Sequence, residues 1–244
     1  MNQHPIVSQE QWVAARKQLL EKEKELNAAL DAVNEKRREL PWTKVEKNYV
    51  FDTAHGKKTL ADLFDGRTQL IVYHFMLGPG WKAGCTGCSF LADHVDGANL
   101  HLAHHDVSFV AVSRAPLAEI EAYKKRMGWR FNWVSSNSND FNFDYHVSFK
   151  KDEMAQGEVY YNYAKTKATT EELPGTSVFF KDDNGDVFHT YSSYGRGDER
   201  SLGTYMYLDI TPKGRDENGP NFNLTDWVRR HDEYGNAKPP EDRH

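Results

Sequence analysis

The chain has 244 residues, 27% charged and 39% hydrophobic, with a formal net charge of -5. That suits one well-buried α/β domain with added elements. It gives no electrostatic reason to expect nucleic acid or an anionic membrane surface as a partner.

The first 40 residues read as one long helix. Ser8-Gln9-Glu10-Gln11 fits a capping box, and Trp12, Leu19, Leu26, Val33 and Leu40 recur every seven residues until Pro41 ends the run. The stripe is thin at the intermediate positions. It suits a helix lying along its own domain, with a homodimerisation arm as the other option.

From about Tyr49 short strands alternate with helices. Val50-Phe51 leads into Gly56, and Leu60 to Phe64 forms a short amphipathic segment. Leu70 to Leu77 is nearly unbroken in its apolarity, as expected of a strand buried on both faces. It contains His74 and is too short to cross a bilayer. After the loop from Gly78 to Gly84, the residues Leu91, Val95, Ala98 and Leu102 fall at helical spacing, with a kink expected at Gly97. Val107 to Val112 is a second buried strand. Pro116 opens and Gly128 closes a helix with Leu117, Ile120 and Met127 inward, and Phe131 to Val134 is a third strand. Residues 136–172 form an irregular excursion. Two strands, Thr176 to Phe180 and Val187 to Tyr191, flank the turn Asp182-Asp183-Asn184-Gly185. A last short helix is expected over Trp227 to His231, and a frayed tail from Lys238.

A βαβ unit with parallel strands followed by an antiparallel ββα unit is the order of the thioredoxin fold. The organisation expected is therefore a helical extension at 1–41, a thioredoxin-like α/β domain (a central mixed sheet flanked by helices) at 42–237, and a tail at 238–244.

The opening Met-Asn-Gln-His-Pro shows no basic patch with an apolar run behind it, so a cytoplasmic location is expected. In that compartment two cysteines three apart point to redox chemistry or metal binding. Cys85-Thr86-Gly87-Cys88 stands between a buried strand and an amphipathic helix. A thiol at a helix N-terminus faces unpaired N–H groups, which favour the thiolate. Cys88 shares the helix's core-facing stripe with Leu91 and Val95. This makes Cys85 the candidate attacking thiol and Cys88 the candidate resolving one.

Three other readings compete. The thiols could be inert, in a redox-silent binding module. Cys85, Cys88, His101 and His105 match a zinc-finger spacing, but the cysteines open a helix instead of sitting on a hairpin, and no basic face is present. A peroxidase of the peroxiredoxin type would place Pro and Thr seven and three residues before its cysteine. Here Gly78 and Lys82 precede Cys85 at those distances, so Thr86 or Arg114 would have to supply the missing donors.

Trp81-Lys82-Ala83-Gly84-Cys85-Thr86-Gly87-Cys88 resembles the thioredoxin active-site segment. Tyr73-His74-Phe75-Met76, Gly84 to Phe90, Ser113 to Leu117, Met127 to Arg130, His189 to Ser192, Tyr194 to Gly197, Leu208-Asp209 and Trp227 to Asp232 are similar to one bacterial group. It is the thioredoxin-superfamily family of predicted dithiol-disulfide oxidoreductases, also labelled a domain of unknown function, and the resemblance spans roughly residues 8–236. It implies a thioredoxin-like fold.

The expected substrate is a disulfide in a small molecule or a protein, with a separate reductant and no cofactor. Leu173 to Phe179 resembles the cis-proline strand entry of thioredoxins, but Gly175, before Thr176, stands where that proline would be. Trp81 is a candidate lid over the dithiol or, equally, a packing aromatic. Arg114, at the end of its strand, could steady a thiolate or form a salt bridge. His74 reads as a hydrogen-bonded core histidine, and structural roles are expected of His189, Tyr191 and Arg196.

Overall fold

The computed structural model describes residues 4–167, 169–215 and 227–235. Contacts divide the chain into two compact units, Met1–Pro41 and Trp42–His244. The tail expected at 238–244 lies outside the described residues.

The first unit is helix α1, Gln9–Arg38. Its capping box is formed: Gln11 N–H donates to the Ser8 hydroxyl, and Ser8 N–H to the Gln11 side chain at 3.1 Å. Lys36, Arg37 and Arg38 lie in the last turn, where cations complement the helix dipole.

The second unit is built on strands β1 (Thr43–Lys44), β2 (Val50–Thr53), β3 (Gly56–Thr59), β4 (Gln69–His74), β5 (Val107–Ser113) and β6 (Asn132–Ser135). A separate hairpin, β7 (Val159–Tyr161) and β8 (Ala164–Thr166), lies within the excursion, and β9 (Gly175–Lys181) and β10 (Val187–Tyr194) follow. The helices are α2 (Thr86–Ala92), α3 (Val95–His104), α4 (Leu117–Met127), α5 (Phe141–Asp144), α6 (Lys151–Ala155) and α7 (Gly203–Asp209). Eight strands form one sheet in the order β1-β10-β9-β4-β5-β6-β2-β3. The pairs β4–β5 and β5–β6 are parallel, while β9 is antiparallel to both β4 and β10. Parallel βαβ strands next to an antiparallel hairpin give the thioredoxin-like fold, here widened at both edges.

Strand alternation separates two cores. Tyr73, Phe75, Phe109 and Ala111 face one side, where they pack with Cys88, Leu91, Ile120, Tyr123 and Tyr205. Leu70, Val72, Val110 and Val112 face the other side with Phe51, Phe64 and Phe141.

Two expectations need correction. The helix after the cysteines breaks at Asp93–His94, not at Gly97. Both residues there are held from outside: Asp93 accepts from the Trp129 indole, and His94 bonds the Thr204 hydroxyl. The helix expected over Trp227 to His231 is only a 3-10 turn, His231–Glu233. The helix that follows the hairpin is α7, which buries Tyr205 alone and so leaves no periodic stripe to read.

Candidate active site at the dithiol

Strand β4 delivers the chain to the site. Beyond its end, Phe75 N–H still donates to the Val112 carbonyl, Ala115 N–H to Leu77, and Cys85 N–H to Met76. The loop thus closes back on its own strand. Gly84 makes this close approach feasible, because a Cβ there would lie 2.4 Å from the Phe75 ring and 2.8 Å from Tyr123. The Arg230 guanidinium donates twice to the Gly84 carbonyl, at 2.7 and 3.1 Å, which pins the residue before Cys85.

The two thiols are unbridged, Cys85 partly exposed and Cys88 buried. Their environments push them apart. The Cys88 thiol donates to Cys85 and, with backbone N–H groups of Cys88 and Gly87 and the more distant charge of Arg230, holds Cys85 down to about 6 against its burial. Burial and the neighbouring Cys85 push Cys88 well above the usual thiol range, opposed by a bond from the Tyr73 hydroxyl. The two sulfurs of this site therefore differ in how readily they give up a proton.

Both thiols open onto a cavity of about 280 Å³ walled by Tyr73, Leu91, Pro174, Leu202 and Tyr205. Asp198, on the 3-10 segment Gly195–Ser201, is 8% exposed and lines the same cavity. Ser193 donates to its Oδ1 at 2.6 Å, with a weaker contact from the Thr176 hydroxyl, while Oδ2 is buried without a full hydrogen-bond partner. Burial raises this carboxyl to about 6.

The other singled-out residues fall variously. Gly175 is enclosed, since a Cβ would meet the Tyr194 ring at 2.7 Å. No peptide bond among the described residues is cis, so Pro174 reaches the cavity through a trans bond. Thr86 opens α2, and Trp81 folds back onto Gly78 and packs against the core. Arg114 is committed elsewhere, to Glu172 at 2.5 Å. The zinc-finger spacing does not make a site: the cysteines open α2, His101 and His105 lie at the far end of α3, and no group of three or more ligating side chains gathers among the described residues.

His74 faces away from the dithiol into the second core. Its Nε2 begins a buried chain through Ser177 (2.9 Å) and Ser192 (2.9 Å) to His189 (2.7 Å), and burial pushes it down to about 3. His189 lines a different cavity with Tyr145, whereas Arg196 reaches the dithiol cavity. Tyr73, Asp198 and Arg230 were not singled out as site residues from the sequence. Among them Tyr73 and Arg230 lie in segments marked by the family resemblance, whereas Asp198 follows the segment Tyr194 to Gly197.

Solved structures with some likeness include peroxidoxin BcpB from Mycobacterium tuberculosis, with 12% identity and TM-score 0.46 over 69% of this chain and 97% of that one. Peroxiredoxin Q from Xanthomonas campestris gives 11% and 0.43 over 64% and 87%. An N-terminally modified Prx1a from Plasmodium yoelii gives 17% and 0.41 over 84% and 97%. Scores of this size leave the fold resting on the strand order described above. No curated protein matches the sequence. No helix among the described residues is long and apolar enough to cross a membrane. The family model described as "Bacterial protein of unknown function (DUF899)" matches residues 1–234, and the chain belongs to that family.

Proposed function

We propose that the chain is a dithiol–disulfide oxidoreductase in which Cys85 attacks and Cys88 resolves. The observation that carries this reading is a hydrogen-bonded pair of thiols at the start of α2, one partly exposed and one buried, opening onto one cavity beside a buried carboxyl with no cation among the described residues.

The Cys85 thiolate attacks one sulfur of a substrate disulfide. A mixed disulfide forms, and the first substrate thiolate leaves and takes a proton from solvent. Cys88 must then lose its proton. Asp198, ionised above about pH 6, is the acceptor within the cavity, with the Tyr73 hydroxyl placed to steady the emerging thiolate. Attack of Cys88 on the Cys85 sulfur closes the intramolecular disulfide and expels the second substrate thiolate, which leaves as a thiol. Two electrons pass from the dithiol to the substrate, and an external thiol must return them.

The test is the pH dependence of Cys85 alkylation with Cys88 present. The rate should climb tenfold per pH unit below about pH 6 and level off by about pH 7, whereas an ordinary thiol would keep rising towards roughly 8.5. A midpoint at or above the ordinary value would sink the proposal. Rapid, saturable sulfenic acid formation at Cys85 with hydrogen peroxide would move the reading to a peroxidase.

A further inference from the structure

Resting on the dithiol reading, we infer that the site takes a small disulfide without anionic groups into its cavity and does not accept one presented on an extended polypeptide. A polypeptide substrate binds beside such a site by adding its backbone to a free strand edge. Here the chain entering β9 has no such edge. The Glu171 carbonyl accepts from Phe149 N–H, and Leu173 N–H donates to the Val147 carbonyl at 2.8 Å. Glu172 bridges Ser148, and the Pro174 carbonyl accepts from the Tyr161 hydroxyl at 2.7 Å. Pro174 has no N–H to offer. From Gly175 onward β9 is paired on both sides, with β4 and with β10. The chain's own excursion, through residues 147–149 and the β7–β8 hairpin, occupies the bonds an incoming strand would need.

What is left is the cavity. About 280 Å³ is at the lower end for a ligand pocket and holds a compact molecule. Its walls beside the sulfurs are the apolar faces of Leu91, Leu202, Tyr205 and Pro174. Arg196 at its margin is already matched, its Nε 2.7 Å from Glu199, while the Asp198 carboxyl in the wall has no cation among the described residues. An anionic substrate would lose hydration there and face the Asp198 carboxyl without gaining a free cation.

The experiment mixes the full, reduced chain with hydroxyethyl disulfide, oxidised glutathione or insulin. Loss of the Cys85 and Cys88 thiols is followed by quenched alkylation and mass spectrometry. Hydroxyethyl disulfide should react about tenfold faster than oxidised glutathione and about a hundredfold faster than insulin. An insulin rate within about threefold of the small disulfide's overturns the inference and leaves the dithiol reading intact. Oxidation by none of the three overturns both.

Two variants separate the causes. Tyr161→Phe frees the Pro174 carbonyl and should raise the insulin rate severalfold; no change would refute the role given to the blocked edge. Leu202→Ala widens the cavity and should raise the oxidised glutathione rate relative to hydroxyethyl disulfide. An unchanged ratio in a folded variant would refute the size limit, and the Tyr161→Phe result stands even if Leu202→Ala does not fold.

Discussion

Among the described residues two carboxyls are buried, Glu172 and Asp198, and their surroundings differ in one respect. Glu172, 1% exposed, lies where the excursion rejoins the sheet. Arg114 grips it through Nε at 2.6 Å and a second guanidinium nitrogen at 2.5 Å, and Ser148 donates to its other oxygen. The same guanidinium stacks 4.7 Å from the Phe143 ring. Among the described residues, Asp198 in the dithiol cavity is met only by hydroxyls. Burial pushes both carboxyls up, but at Glu172 the Arg114 charge and two hydrogen bonds oppose it, whereas at Asp198 no cation among the described residues does. A compensated carboxylate can serve as a clamp, because its proton is not needed and its geometry is fixed. An uncompensated one is costly to keep ionised and exchanges its proton near neutral pH.

The largest test of that contrast is to remove the clamp's cation. Arg114→Ala leaves Glu172 buried and unpaired and should cost about 3–5 kcal/mol in urea unfolding. Arg114→Lys, which keeps the charge but loses the fork, should cost less. If Arg114→Ala cost under about 1 kcal/mol, the two carboxyls would not differ in the way described.

Asp198→Asn should act in the opposite direction. The folded-state value of about 6 is above the ordinary 3.8, so the protonated form is favoured by folding. That contribution is complete below about pH 4 and is lost as pH rises through 6, leaving wild type penalised at neutral pH. Two pH units correspond to about 3 kcal/mol. Asn carries no such penalty. The variant should therefore be more stable than wild type at pH 8, with the gap closing between about pH 6 and 4. It should also let the mixed disulfide on Cys85 accumulate, since Cys88 loses its proton acceptor. Gain of stability with unimpaired resolution would detach Asp198 from the chemistry.

The same contrast explains what the sequence made legible. Burial of Cys88 at 2% could be read from its spacing to Leu91, because both lie on α2 and one helical turn carries the information. The hairpin could be read from Asp182-Asp183-Asn184-Gly185, where the Asp182 carboxylate accepts from Asn184 and Asp186 N–H groups. Tyr73 was hidden for the opposite reason. In a strand apolar on both faces, nothing local says that Tyr73 faces the thiols while His74 faces the second core. Asp198 sits in Gly-Arg-Gly-Asp, which reads as an exposed turn until the 3-10 segment is seen folded into the cavity wall. The departure at Gly175 was visible, but its cause, the Tyr194 ring filling the Cβ position, required the β9–β10 register.

The smallest effect concerns the cation that does act on the dithiol. Arg114 touches its carboxylate, whereas Arg230 bonds the Gly84 carbonyl and Glu233, and its charge acts on Cys85 from further away. The bond from Cys88 contributes most to lowering Cys85, so loss of Arg230 should move the thiol only modestly. Arg230→Gln is expected to raise the alkylation midpoint of Cys85 by about half a pH unit, less than 1 kcal/mol. Charge and anchoring can then be separated. Arg230→Lys keeps the charge but replaces the planar fork on Gly84 with a single point donor. If the charge matters, Lys restores the midpoint and Gln does not. If the anchor matters, both variants shift it alike, because the loop that presents Cys85 to the N–H groups of Gly87 and Cys88 loosens in each. A shift beyond about 1.5 pH units in Arg230→Gln would make this cation a direct partner of the thiolate, and the contrast with Arg114 would fail.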